Sequence, residues 1–148
     1  MTVSLTSWRS SDWLQPHQTS PEEISGLLDP ADRDLSDCET AGLSPDWQLN
    51  IAHNAALLCA TAALAACGYR ASREAHHYRT MLSLKYTIKL DRPVVARLDK
   101  LRKKRNISGY ERPGTVSEQE AEEMIRLARR IRKAVQKWLE SNHPDLVA

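Results

Sequence analysis

Apolar residues recur at three- and four-residue steps along most of this chain and gather into long amphipathic stretches. The clearest is the last: Ala121, Met124, Ile125, Ala128, Ile131, Val135, Trp138 and Leu139 trace one face to about residue 141, as a helix with one buried side requires. Before it, Val94, Leu98 and Leu101 form a stripe on a helix started by Pro93, and Tyr78, Met81, Leu82, Leu84 and Ile88 supply the apolar set of a helix predicted over about 72–90. Trp47, Ile51, Asn54 and Leu58 share one face of a helix over about 45–67. From Ala55 onward that helix is apolar all round, which marks it as central. No strand-like alternation of useful length occurs.

The ends of these stretches carry their own signals. Ser20 with Pro21 and Ser44 with Pro45 read as N-cap and first helical residue, and Glu22 and Glu23 sit where the helix dipole favours negative charge. Gly68 closes the central helix, and Ser117 with Glu120 forms a capping box, Val116 stapling onto Ala121. Pro30 is expected to break or kink the first helix, leaving a second acidic piece that ends at Gly42. Short connections make neighbouring helices antiparallel. The expected fold is all-α, an up-down antiparallel bundle of four to five helices over residues 21–148, behind a flexible tail of residues 1–20. The tail is rich in Ser, Thr and Gln, and its Trp8 and Trp13 dock either on the bundle or on a partner. The same topology puts the turn after Gly68 and the turn at 107–116 at one end, so that His76, His77, Arg105 and Tyr110 share a neighbourhood.

Composition adds limits. The 148 residues suit one domain, and the absence of Phe and the Ala-rich middle favour helices. Cys59 and Cys67, eight apart on one helix, stand roughly 12 Å apart along its axis and cannot pair. With Cys38 they read as small buried groups in a reducing cytosol, and no spacing supports a metal or other cofactor. The apolar run Ala55–Cys67 is too short to span a bilayer, and no secretory signal precedes it, so the expected location is cytoplasmic with no membrane partner. The net charge of +2 is uneven: residues 1–50 carry two basic and nine acidic side chains, and residues 51–148 nineteen and ten. A basic body suits a polyanion, unless the acidic segment packs on it and cancels it.

The basic body is densest at "RKKRNISGY", residues 102–110. Arg105 continues the Val94, Leu98 and Leu101 stripe and so points inward, which asks for an acceptor. Arg102, Lys103 and Lys104 spread around the turn, where the helix dipole and the orphan carbonyls also account for them. Gly109 is expected to stop the helix and let Tyr110 fold back. His76 and His77 point about 100° apart and form no two-ligand metal face. Asn54 reads as a buried amide fixing helix register, and His53 and His143 carry no usable pattern. No phosphate-binding Gly-rich loop, nucleophile elbow or H-E-x-x-H is present.

"RKKRN" followed by "GY", together with "NAALLCATAALAACGYR", "HH" and "WLESNHP", resembles the HEPN domains over about residues 21–144. The family motif is an Arg, commonly followed by a polar residue such as Asn, then four to six residues and a His. Arg105 and Asn106 match, and Tyr110 stands in the His position. The resemblance implies a helical bundle, a homodimer and a role with RNA, a nucleotide, or a cognate nucleotidyltransferase or antitoxin in toxin–antitoxin or defence systems. It also implies two activities for the basic end. One is a non-catalytic binding module, with Arg70, Arg102, Lys103 and Lys104 as binding residues. The other is a metal-independent endoribonuclease in which Arg105, Asn106 and Tyr110 work with His76 or His77 as proton carrier. A His moves protons near neutrality and Arg holds a phosphate that gains charge, whereas a Tyr with a pKa near 10 is a poor base.

Overall fold

Serine hydroxyls start three of the four long helices, as the sequence predicts. The computed structural model describes residues 4–72, 76–110 and 116–147, and the side chains of these except 76 and 105–110. In chain order the elements are α1 (Leu5–Ser10), β1 (Leu14–Pro16), α2 (Pro21–Asp37), α3 (Pro45–Ala66), β2 (Tyr69–Ala71), α4 (His76–Leu82), α5 (Leu84–Thr87), α6 (Arg92–Tyr110) and α7 (Glu118–Asn142), followed by a 3-10 turn (Pro144–Leu146). Ser20 accepts from Glu23 N–H, Ser44 from Trp47 N–H and Ser117 from Glu120 N–H, and the Glu120 carboxylate returns a bond to Ser117 N–H. The capping box is complete, so two orphan donors of α7 are satisfied at once.

The fold is an all-α bundle of α2, α3, α6 and α7 in which α3 is central. Its buried face is built largely of Ala52, Ala55, Ala56, Ala60, Ala62 and Ala63, small side chains that let α2 and α7 approach closely. The helix is long and apolar enough to cross a membrane by length and composition, and 67% of its most apolar window is buried inside the bundle. Leu49 on α3, Ile24, Leu28 and Leu35 on α2, and Met124, Ile131, Val135 and Leu139 on α7 complete this core.

Pro30 does not break α2. The buried stripe Ile24, Leu28, Ala31 and Leu35 runs straight through it. The ring of a helical proline presses on the carbonyl four residues earlier, and here that residue is Gly26, around which a Cβ would meet nothing within 4 Å. Burial of the continuing stripe outweighs one lost backbone bond.

Residues 4–17 are not the tail expected from their composition. Leu14, Gln15 and Pro16 pair antiparallel with Ala71, Arg70 and Tyr69, and His17 N–H donates to Gly68 O at 2.8 Å. Trp8 is only 4% exposed and packs with Leu14, Leu64 and Ala71 in a second small core. Its ring packs at a tilt of 56° against Trp13 and meets Tyr86 edge-on, with centroids 5.2 and 5.1 Å apart, while the Arg79 guanidinium lies 4.2 Å over Trp13. Two tryptophans bury enough surface to order a segment that is otherwise polar.

The predicted helix over 72–90 is divided. Ser72 continues from β2, its N–H donating to Trp13 O at 2.9 Å, and α4 gives way to α5 at Ser83, a buried residue whose hydroxyl donates to Thr80 O at 2.6 Å. Such a side-chain bond competes with the helical ladder. Tyr78 of α4 lies against Arg102 of α6, and Leu82 shares a cavity wall with Val95, so α4 runs antiparallel to α6 and toward the Gly68 end of α3. This extra reversal changes the predicted topology. Val116 N–H donates to Asp46 Oδ1 at 3.3 Å, which sets Val116 at the start of α3 rather than beside Gly68. The 22 residues of α3 hold those two ends roughly 33 Å apart.

Candidate functional site

The middle of α6 carries its charges in i,i+3 and i,i+4 register. Asp99 Oδ1 accepts from Arg102 Nε at 3.0 Å and Asp99 Oδ2 lies 3.4 Å from Lys103 Nζ. Lys104 reaches the Glu120 carboxylate across to α7 at 3.7 Å. Arg97 forms a bidentate pair with Glu123, at 2.7 and 2.6 Å. The Ser117 backbone N–H first, and Lys104 after it, hold the Glu120 carboxyl below the usual carboxylate range; the Arg97 hydrogen bonds do the same for Glu123. Both carboxylates are therefore fixed as anions near neutrality, and α6 is clamped to α7 at Arg97 and Lys104.

Onto this helix α4 lays an aromatic ring. The Arg102 guanidinium lies 5.2 Å from the centroid of the Tyr78 ring, with Asp99 fixing its other edge. An arginine held between a ring and a carboxylate presents a set orientation to anything that approaches. Lys103 is 65% exposed beside it. The Asp99, Arg102 and Lys103 grouping follows a spacing readable in the sequence. Tyr78 joins it across two helices, a contact for which the sequence carries no such signal, since its spacing marks it only as one of the apolar set of its helix.

Of the residues expected at the site, Arg102, Lys103 and Lys104 share one turn, and His77 lies exposed in the first turn of α4, next to Tyr78. Arg70 is on the ribbon, where its Nε donates to Gln15 Oε1 at 3.2 Å, at the Gly68 end and away from the Val116 end. The backbone of α6 continues through Gly109 to Tyr110, so the expected stop is not made there; a helical Gly costs about 1 kcal/mol relative to Ala and need not end a helix. The side chains of Arg105, Asn106, Tyr110 and His76 lie outside the described residues. Asn54 is exposed rather than buried, and its Nδ2 donates to Asp34 Oδ2 at 2.7 Å. His53 is fully buried in α3.

Other reactive groups offer little. Among the described residues no group of three His, Cys, Asp or Glu is placed to hold a metal ion. Burial pushes the Cys59 thiol up to about 12 and raises that of Cys38 as well, so neither is a thiolate near neutrality.

The chain belongs to the HEPN domain family, whose profile matches residues 26–138, from within α2 to near the end of α7. No curated protein matches it, and no solved structure does.

Proposed function

We propose that this chain is a non-catalytic HEPN module that binds single-stranded RNA through the α4–α6 face, acting as a homodimer in a toxin–antitoxin or defence system of the cytosol. The observation that carries the reading is the Tyr78 ring on Arg102, with Lys103 and Lys104 on the same turn and Arg105 next in the chain. Cations track the phosphate backbone and aromatic rings take bases with little sequence preference, which is how single strands are held. The pairs made by Lys103 and Lys104 are surface pairs, weak enough to exchange for phosphate. With Tyr110 in the motif's His position, the usual proton carrier is missing. The test is binding of a labelled unstructured RNA at several salt concentrations, with cleavage followed in the same samples with and without chelator. Expected are a steep salt dependence, intact RNA, and loss of about tenfold or more in affinity for Arg102→Glu and for Arg105→Ala. RNA binding that is indifferent to both substitutions overturns the reading.

A second reading, a metal-independent endoribonuclease, is favoured by the place of His77, immediately before the residue that touches Arg102. It requires chelator-resistant cleavage that His77→Ala or His76→Ala abolishes.

A further inference from the structure

Between α4, the start of α5 and the first two turns of α6 lies a cavity of about 260 Å3. Leu82 and Val95 form its apolar wall, Tyr78 adds a ring, and Asp99 brings a carboxylate. Its remaining charged groups are Lys85 and Arg92, and among the described residues neither has a carboxylate partner. This sets them apart from Arg97, Arg102, Lys103 and Lys104, each held by an acid. Lys85 Nζ instead lies 5.0 Å over the Tyr86 ring, a contact it can share with an anion. A small concave site with an aromatic wall, one acceptor and two cations without an acid partner among the described residues matches a planar heterocycle that carries an anionic group. Its volume lies just under the roughly 300–1,000 Å3 of drug-sized ligand pockets, room for one nucleotide unit and not for two.

We infer that this cavity binds a single unpaired nucleotide, with the base against Tyr78, Leu82 and Val95 and the phosphate at Lys85 and Arg92. The inference deepens the RNA-binding reading and rests on it, because Tyr78 and Asp99 connect the cavity to the Arg102 turn. Each carboxylate oxygen of Asp99 retains acceptor capacity beyond the bond to Arg102 and the pair with Lys103. It accepts from an exocyclic amino group, which adenine, cytosine and guanine have and uracil lacks. The site therefore favours the amino-bearing bases.

The experiment is titration of the full chain with AMP, CMP, GMP and UMP, and with adenosine and inorganic phosphate as separate arms, followed by calorimetry or amide chemical shifts. AMP is expected to bind more tightly than adenosine or phosphate, and UMP to be the weakest of the four monophosphates. Ala96, exposed on the cavity wall, gives the blocking variant: Ala96→Trp is expected to weaken AMP by about tenfold or more. Lys85→Gln combined with Arg92→Glu, the first half-buried and the second exposed, is expected to weaken AMP by about tenfold while changing adenosine by less than about twofold, with circular dichroism confirming that the double variant folds. AMP binding no tighter than phosphate alone, or unaffected by both variants, overturns the assignment. If AMP fails in this way while RNA still binds through Arg102, the cavity is wrong and the RNA-binding face stands. If AMP binds as expected and RNA does not, the face is wrong and the cavity is a site for free nucleotides.

Discussion

Arg132 of α7 holds Asp32 of α2 with two hydrogen bonds, Nε to Oδ1 at 2.7 Å and Nη2 to Oδ2 at 3.1 Å, across 100 residues of sequence. A third bond, from Nη1 to Gln136, orients the guanidinium, and Arg129 donates to Leu35 O one turn earlier. The acidic face of α2 thus lies against basic residues of α7. The Arg132 side chain is mostly covered while Asp32 is half exposed. A double-mutant cycle with Asp32→Asn and Arg132→Gln should return a coupling of about 1 kcal/mol that shrinks in high salt. A coupling of zero in urea denaturation would mean that the pair records proximity and contributes nothing.

The docked N-terminal arm should be structural. Trp8→Ala removes a buried ring that touches Trp13 and Tyr86, and is expected to cost about 3–5 kcal/mol by chemical denaturation. An unchanged midpoint would reduce the arm to a tether.

Acid should unfold the protein through three glutamates. Thr19 and then His17 lower the Glu23 pKa through hydrogen bonds, as the Ser117 N–H does for Glu120 and Arg97 does for Glu123. A carboxyl with a depressed folded-state pKa stabilises fully above its unfolded value of 4.5, and that contribution disappears as pH falls through the folded value. Stability should be level near neutrality and fall below about pH 4.5. Glu120→Gln keeps an acceptor for Ser117 N–H but has no proton to take up there, so its acid limb should be shallower. An identical limb in the variant would remove Glu120 from the account.

On the proposed non-catalytic reading, Tyr110→His should restore the motif's proton carrier. If that carrier is all that cleavage lacks, the variant should cleave RNA in the presence of chelator and leave 2′,3′-cyclic phosphate ends, about 10²–10⁴-fold above wild type. Cleavage should vanish again on adding Arg105→Ala. An inert Tyr110→His protein that still binds RNA would show that an imidazole at this position is not enough for cleavage.

Trp47 is 61% exposed, the one large apolar side chain so exposed among the described residues. It follows Asp46, the residue bonded to Val116, and so stands at the end of the bundle where α6 finishes and α7 begins. An exposed aromatic of this size is a natural interface anchor. Sedimentation at micromolar protein should show a dimer, and Trp47→Ser should weaken it by about tenfold or more. A wild-type monomer of 16.7 kDa would remove the homodimer from the proposal.

Helix starts were readable because a cap is a local contract: Ser20, Ser44 and Ser117 each bond within three residues. Gly68 was equally plain, its φ of +88° suiting a residue without a Cβ. Non-local facts were hidden. A three-residue strand such as β1 has no period to detect, and its partner lies more than fifty residues on. The direction of α4 was equally hidden: it runs toward the Gly68 end of α3, opposite to the course expected for the segment before α6, and this changes the end of the bundle to which the Arg102 turn leads. The basic turn itself was visible; the ring of Tyr78 upon it, and the cavity beside that ring, depend on how α4 crosses α6.

The pairing of Leu14 with Ala71 also orders events during synthesis. The first strand leaves the ribosome with no strand to join until the second follows, a wait of roughly 3–11 s at about 5–20 residues per second. Throughout that interval Trp8 and Leu14 have neither Leu64 nor Ala71 to cover them. Because the arm can close only after α2 and α3 have been made, it locks the nascent bundle late, and a chain stalled before residue 69 carries an uncovered tryptophan that chaperones can recognise.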